Sequence, residues 1–179
     1  MKIGLLFGSF NPIHIGHLVI ANYMAEFTDL DQVWLVVSPH NPLKNKKSLS
    51  AARKRLAAVK NAVGRNPKIK VNDVEFSLPQ PSYTINTLEV LCKQYPKNKF
   101  VLIIGSDNLS TFSKWKHYKK ILSKYKIYVY PRFGSGKSRL KNHPSVKMVN
   151  APRIDISSTF IRSQIKKGKD VRYLIPNKG

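Results

Sequence analysis

Four short apolar runs recur along the sequence, and their pattern is typical of strands buried on both faces. The runs are Ile3–Phe7, Val33–Val37, Val101–Ile104 and Ile127–Val129. They do not alternate apolar with polar residues, as a strand with one solvated face would. They therefore predict the central strands of a parallel sheet.

Between these runs, apolar residues recur at the spacing of amphipathic helices. The predicted helices are Leu18–Phe27, one beginning at Ser50, Tyr83–Tyr95, Thr111–Tyr125 and Ser157–Lys167. In the second helix we expect Leu56, Ala57, Val59 and Val63 to face inward and Arg53, Lys54, Arg55 and Lys60 to face outward. Strands that alternate with helices predict a Rossmann-like, doubly wound parallel α/β sheet, in a single domain over residues 1–179.

The composition is that of a globular protein and is compatible with a reducing compartment. A chain of 179 residues is long enough for one domain, and a hydrophobic fraction of 42% excludes a disordered tail. Cys92 is the single cysteine, so no intrachain disulfide can form. No stretch reaches the roughly 18 apolar residues of a membrane span. We expect a cytoplasmic protein without a membrane partner.

The charge first suggests a nucleic-acid partner. With 32 basic and nine acidic residues, the formal net charge is +23, and such a surface attracts polyanions. However, 24 of the basic residues are lysines, which are spread along the chain and need no partner when solvated. They are not interleaved with stacking aromatics, as in a single-strand platform. We expect no specific nucleic acid, and a basic nucleic-acid-binding protein is the alternative from a different class.

Candidate chemistry begins directly after the first predicted strand, in the segment Gly8–His17. Gly8 allows backbone N–H groups to approach a ligand, and the helix that follows favours an anion at its start. His14 and His17 are three residues apart and share one side of a helical turn. The pair is a plausible phosphate clamp, although a capping histidine beside a packed one is the favoured interpretation of the pair alone. Zinc would lack a third ligand, so no metal site is predicted.

A second polar segment opens the last predicted helix. Ser157 or Ser158 can cap the helix, and Arg162 lies one turn further along the same face. Its guanidinium fork could hold phosphate oxygens. An ordinary cap followed by a surface arginine is an equal alternative for this segment alone.

Together the two segments match a pair of known signatures. His14-Ile15-Gly16-His17 resembles the (H/T)-x-G-H signature of the nucleotidyltransferase superfamily, and Ile156–Arg162 resembles its I-S-S-T-x-I-R signature. Within that superfamily, the chain closely resembles the bacterial nicotinate-nucleotide adenylyltransferases, and the resemblance runs nearly end to end. That similarity includes Pro39–Lys44, Pro81–Thr84, and Gly105–Asn108 followed by Trp115. The chain departs from the pattern at Asn86, where aspartate is usual.

The resemblance implies a reaction and a set of site residues. The 5′-phosphate of nicotinate mononucleotide would attack the α-phosphorus of ATP directly, with Mg²⁺ accompanying ATP and no covalent intermediate. The catalytic residues would be His14, His17 and Arg162. The same three would bind ATP together with Gly8, Ser9, Phe10, Gly105, Asp107, Ser158 and Thr159, and Arg132 is a further candidate for ATP. The pyridine nucleotide would meet Lys44, Tyr83, Thr84 and Trp115.

Each of these positions also has a plainer interpretation. Without the resemblance, Lys44 would be a solvated loop lysine and Trp115 a core aromatic. Asp107 could equally cap the helix that follows it, and Tyr83 and Thr84 could simply start one. Two related activities are alternatives: a preference for nicotinamide mononucleotide, and phosphopantetheine adenylyl transfer. The sequence leaves the oligomeric state open.

Overall fold

The computed structural model describes residues 1–40, 50–134, 136 and 138–176, and these contain a six-stranded sheet. Its strands are β1 Lys2–Gly8, β2 Gln32–Val37, β3 Ile69–Asn72, β4 Lys99–Gly105, β5 Lys126–Tyr130 and β6 Val146–Met148. They lie in the order β3-β2-β1-β4-β5-β6, and every neighbouring pair is parallel. The four predicted central strands are confirmed as β1, β2, β4 and β5.

The two edge strands are absent from the prediction. β3 has four residues and β6 only three, with exposed lysines at Lys70 and Lys147. Neither forms an apolar run, because an edge strand needs less apolar surface than a central strand. Each is held by backbone pairing with one neighbour, which no local sequence pattern reveals.

The described helices are α1 Ile15–Phe27, α2 Ala52–Val63, α3 Thr84–Gln94, α4 Ser106–Thr111, α5 Tyr118–Lys124 and α6 Ser158–Lys166. The predicted helix Thr111–Tyr125 is wrong as a continuous element. A 3₁₀ turn at Phe112–Lys114 and an extended Trp115 interrupt it, and His117 adopts a left-handed φ of 53° before α5. The spacing of the apolar residues Phe112, Trp115 and Ile121 also fits one continuous helix, so it does not reveal the break between the 3₁₀ turn and α5.

The predicted faces of α2 also need correction. Arg55, expected to point outward, is buried, and Ala57, expected to point inward, is exposed. Val59 is buried as predicted, with Leu56 and Val63 partly buried. The inward face of α2 therefore carries a buried guanidinium group.

Helices cover both faces of the sheet, and successive strand residues feed two separate cores. Leu5 and Leu102 pack with residues of α3 and α5, whereas Leu6 and Ile103 pack with residues of α1 and α2. This alternation follows from the two-residue period of a strand. The doubly wound, Rossmann-like α/β fold predicted from the sequence is confirmed. Among the described residues, no helix is both long and apolar enough to cross a membrane.

Candidate active site

Two adjoining cavities open where the strand order reverses. β1 pairs with β2 on one side and β4 on the other, so the chain leaves these strands toward opposite faces. In doubly wound sheets, ligands bind in the crevice at the carboxyl ends of such strands. One cavity has a volume of about 230 Å³ and the other of about 180 Å³. The residues that line both are Leu6, Phe7, Asn108 and Tyr130.

The larger cavity is lined by His14, His17, Ser158, Thr159 and Arg162, and we call it the histidine cavity. The smaller is lined by Glu75, Tyr83, Thr84, Trp115 and Lys116, among others, and we call it the tryptophan cavity. The predicted ATP residues Gly8, Ser9, Phe10 and Asp107 also line the histidine cavity, but Gly105 lines the tryptophan cavity. Lys44, the remaining predicted site residue, lies outside the described residues.

The turn from β1 into α1 forms the floor of the histidine cavity. Phe10 has a left-handed φ of 43° and a buried ring that meets His17 edge-on, with centroids 4.9 Å apart. A Cβ atom on Gly8 would lie 2.8 Å from this ring, so the turn requires glycine there. The Phe10 ring therefore packs beneath the cavity and supports His17, a structural role that its place in a polar motif does not suggest.

His14 and His17 lie stacked at the start of α1. Their ring centroids are 3.7 Å apart and their planes differ by 28°, so both rings occupy one side of the helix, as the spacing predicts. His14 is the N-cap residue, and its backbone N–H donates to His17 Nδ1 at 3.2 Å. Because Nδ1 of His17 accepts this bond, its Nε2 carries the proton and is the ring nitrogen that can donate.

His14 is poised as a neutral donor. Its residue is 3% exposed, and its Nδ1 has no hydrogen-bond partner. Burial, together with the positive charge of Arg132, lowers the pKa of His14 from 6.5 to about 4. At neutral pH the two stacked rings therefore do not repel each other through a charge on His14. An arriving polyphosphate would favour protonation of His14.

The last helix brings the second polar segment to the same place. Ser157 is the cap of α6, since its side chain accepts from the backbone N–H of Phe160 at 3.1 Å. Ser158 instead donates from Oγ to the carbonyl of Pro12 at 2.9 Å. Arg162 donates from Nη1 to the carbonyl of Asn11 at 2.7 Å and from Nη2 to Thr159 Oγ1 at 3.2 Å. Segments almost a chain length apart thus form one cavity wall.

The carboxyl end of β4 supplies the opposite wall. Asp107 stands in the first turn of α4. Gly105 is the N-cap, and a Cβ atom there would collide with the Asp107 carboxylate. Arg132, just after β5, lines the histidine cavity and donates from Nη1 to the carbonyls of Ile154 and Ile156 at 3.3 and 3.4 Å. Arg132 thus connects the segment before α6 to the end of β5, and it places a positive charge beside the histidines.

The tryptophan cavity combines an aromatic wall with a helix start. Trp115 packs on the fully buried Phe112 with centroids 5.0 Å apart, and its Nε1 is buried without a hydrogen-bond partner. Tyr83 is the N-cap of α3, and Thr84 begins that helix. The Lys116 ammonium lies 4.3 Å from the centroid of the Tyr83 ring. These groups suit a flat ring bearing an anionic substituent, because unpaired N–H groups at a helix start attract anions.

The comparisons with known proteins agree with this geometry. Residues 5–164 match the cytidylyltransferase-like family model. A probable nicotinate-nucleotide adenylyltransferase of Flavobacterium johnsoniae is 54% identical over 99% of this chain and 93% of its own length. Another from Bacteroides fragilis is 49% identical over 97% of this chain and 87% of its own. The chain belongs to the cytidylyltransferase-like family and, within it, to the nicotinate-nucleotide adenylyltransferases.

A solved structure shares the fold of this adenylyltransferase family. The Plasmodium falciparum nicotinic acid mononucleotide adenylyltransferase, complexed with NaAD, aligns with a TM-score of 0.80 at 20% identity. The alignment covers 95% of this chain and 86% of that one. The family expected from the two signatures is confirmed, and so is the class of enzyme.

Two ionisable residues, one bonded to the cavity walls and one lining a cavity, are indicated by no motif. Arg55 donates to the carbonyls of Ser9, Ser38, Pro39 and Ser50, which ties α2 to the ends of β1 and β2. Glu75 lines the tryptophan cavity from the 3₁₀ helix Val74–Ser77. The only local signal for Glu75 is an acidic residue between Val74 and Phe76 in a chain with nine acidic residues.

Proposed function

We propose that the protein transfers the adenylyl group of ATP to nicotinate mononucleotide, giving nicotinate adenine dinucleotide and pyrophosphate. The observation that carries this function is the junction of the two cavities. One offers histidine, hydroxyl and guanidinium donors for a triphosphate, and the other offers an aromatic wall and a helix start for a pyridine carboxylate. Since they share lining residues, a phosphate from one ligand can approach the phosphorus of the other.

The proposed step is a direct in-line displacement. A 5′-phosphate oxygen of the mononucleotide forms a bond to the α-phosphorus, and the bond from that phosphorus to the bridging oxygen of pyrophosphate breaks. The attacking phosphate is already anionic, so the step needs no general base. Catalysis then rests on holding both ligands in line and stabilising charge on the leaving group.

The histidine cavity supplies that stabilisation. His14 and His17 would hold oxygens of the α- and β-phosphates. Arg162, Ser158 and Thr159 would hold the β- and γ-phosphates, with α6 adding N–H groups at its start. Arg162 is held in place by Asn11 and Thr159, so its fork is oriented before ATP binds. Such preorganised donors are worth most where negative charge develops.

ATP would enter as its Mg²⁺ complex. Asp107 is the sole carboxylate among the described lining residues of the histidine cavity. Within residues 1–40, 50–134, 136 and 138–176, no group of three or more His, Cys, Asp or Glu could hold a metal ion. The donor set fits a cation carried mainly by phosphate oxygens and water, as Mg²⁺ usually is at nucleotide sites, rather than a cage of protein ligands. Bound there, the cation would neutralise charge on the triphosphate.

In the tryptophan cavity, Trp115 would stack on the pyridine ring and the first N–H groups of α3 would meet its carboxylate. Asp107 would accept from ribose hydroxyls of ATP. Lys44 is proposed to meet the phosphate of the mononucleotide, on the resemblance alone.

The proposal is tested by measuring pyrophosphate release with ATP and Mg²⁺ in the presence of three acceptors. These are nicotinate mononucleotide, nicotinamide mononucleotide and phosphopantetheine. We expect fastest release with the nicotinate compound. Faster release with the amide would overturn the substrate assignment, and release with phosphopantetheine alone would replace it.

A further inference from the structure

Glu75 is a buried carboxyl group in the wall of the cavity that the pyridine ring is proposed to enter. The residue is 1% exposed. Thr87 Oγ1 donates to Glu75 Oε1 at 2.8 Å, whereas Glu75 Oε2 is buried and has no hydrogen-bond partner. A buried anion with one unpaired oxygen is costly, and a neutral acid at the same position costs much less. The geometry therefore favours a proton on Oε2.

The electrostatic surroundings lead to the same conclusion. Burial raises the pKa of Glu75 above its usual value. The hydroxyls of Thr87, Ser38 and Ser82 lower the pKa, but by less than burial raises it. Within the part of the chain that the structure describes, Glu75 forms no ion pair with a basic residue.

The other titratable groups around the cavity lie on different elements. Lys114 and Lys116 line it from the segment after α4, Tyr83 from the start of α3 and Tyr130 from the end of β5. The guanidinium group of Arg55 donates its hydrogen bonds to backbone carbonyls, including that of Ser38. Lys114 and Lys116 are exposed to solvent, which screens their charge. None of these groups replaces the missing partner of Oε2.

The charge on Glu75 matters because of the ligand expected there. On the proposed function, the ring that enters this cavity carries a carboxylate. Two carboxylates in one cavity repel each other, and such a like-charge contact reduces affinity. A neutral Glu75 imposes no such repulsion. An anionic Glu75 would disfavour the nicotinate compound but not the uncharged nicotinamide compound.

We propose that Glu75 is a specificity-determining residue, which by retaining a proton admits the nicotinate carboxylate and sets the preference for the acid over the amide. This inference rests on the proposed function. Glu75 acts through its charge rather than by contact with the reacting atoms. The preference should therefore decline as pH rises and Glu75 ionises.

The test is the ratio of two dissociation constants, measured by calorimetry from about pH 5 to about pH 9. The ligands are nicotinate mononucleotide and nicotinamide mononucleotide, without ATP. Both carry the same 5′-phosphate, so titration of that phosphate and of the residues that bind it cancels in the ratio. For the unmodified protein we expect the preference for the acid to fall by about tenfold or more as pH rises.

Two variants and one control assign the effect. Glu75→Gln cannot ionise, so its ratio should stay constant across the pH range. Thr87→Val removes the hydrogen bond that favours the charged form, so the fall should move to higher pH. Glu89→Gln alters a partly exposed carboxylate of α3 that pairs with Lys120 and does not line the cavity, and its profile should match that of the unmodified protein.

The outcomes separate this inference from the proposed function. If the unmodified protein binds neither mononucleotide, the proposed function fails and the role of Glu75 fails with it. If both bind but the ratio does not change with pH, or changes identically in Glu75→Gln, the role of Glu75 alone is overturned. If Glu75→Gln does not fold, the test rests on Thr87→Val. A fall in acid preference that moves to higher pH supports the role of Glu75, and an unshifted profile rejects it.

Discussion

The imidazole rings of His14 and His17 lie stacked, with centroids 3.7 Å apart. His14 is buried and neutral, and it supplies the backbone N–H that fixes the Nδ1 of its neighbour. One histidine thus orients the other, which makes His17 the better oriented of the two proposed donors to phosphate. The arrangement allows two histidines three residues apart to share the proposed anion site without repelling each other.

Replacing His17 with alanine should lower kcat by about 10²–10³-fold, because one preorganised donor to the developing charge is lost. Turnover with ATP and nicotinate mononucleotide is the measurement. Val19→Ala, an exposed position on the same helix, is the matched control. Near-normal turnover in His17→Ala, with the control also active, would reject a phosphate-binding role for this residue.

The depressed pKa of His14 predicts a pH-dependent stability. The unfolded chain binds a proton near pH 6.5, whereas the folded protein does so only near pH 4. The contribution of neutral His14 is thus complete above pH 6.5 and is lost as pH falls toward 4, amounting to about 3 kcal/mol. The unfolding free energy of His14→Asn should decline less over this range than that of the unmodified protein. Parallel declines in urea titrations would contradict the prediction.

Trp115→Ala should raise KM for nicotinate mononucleotide by about tenfold or more, because loss of an aromatic stacking surface costs on the order of 1–3 kcal/mol. KM for ATP should change little, since Trp115 lines the tryptophan cavity and not the histidine cavity. Steady-state kinetics with each substrate varied in turn separate the two effects. Phe27→Ala, which removes an exposed aromatic outside both cavities, serves as the control. Unchanged constants for the mononucleotide would exclude ring stacking.

Arg55→Met should lower the unfolding free energy by about 3 kcal/mol or more. The substitution leaves buried carbonyls of Ser9 and Ser38 without their guanidinium donor. Chemical denaturation is the measurement, with the exposed Arg53→Met as the control on the same helix. Equal stabilities of the two variants would show that the buried hydrogen bonds are dispensable.

Much of the fold, and the residues proposed to bind phosphate, could be predicted from the sequence because their signals are local. The central strands are continuous apolar runs, and His14 and Arg162 belong to short motifs with fixed spacing. Parallel strands present their carboxyl ends at one edge, which places His14 there, and bonds from Ser158 and Arg162 to Pro12 and Asn11 bring α6 to the same place.

The remaining features depend on contacts between distant segments. Arg55 stands in a basic run with Arg53 and Lys54, and nothing local distinguishes the buried arginine from its exposed neighbours. Glu75 is buried because α3 and the end of β2 enclose it. The helix predicted across Thr111–Tyr125 fails because Phe112 and Trp115 turn into the core and the cavity. Periodicity cannot separate that arrangement from one longer helix.

Direct adenylyl transfer to nicotinate mononucleotide is tested by following the α-phosphorus of ATP. The protein is incubated with ATP radiolabelled at that position, Mg²⁺ and the mononucleotide, then quenched, and the products and the protein are separated. The label should appear in nicotinate adenine dinucleotide, and none should remain on the protein when the acceptor is omitted. Absence of labelled dinucleotide would contradict the function, and label retained on the protein would contradict the direct mechanism.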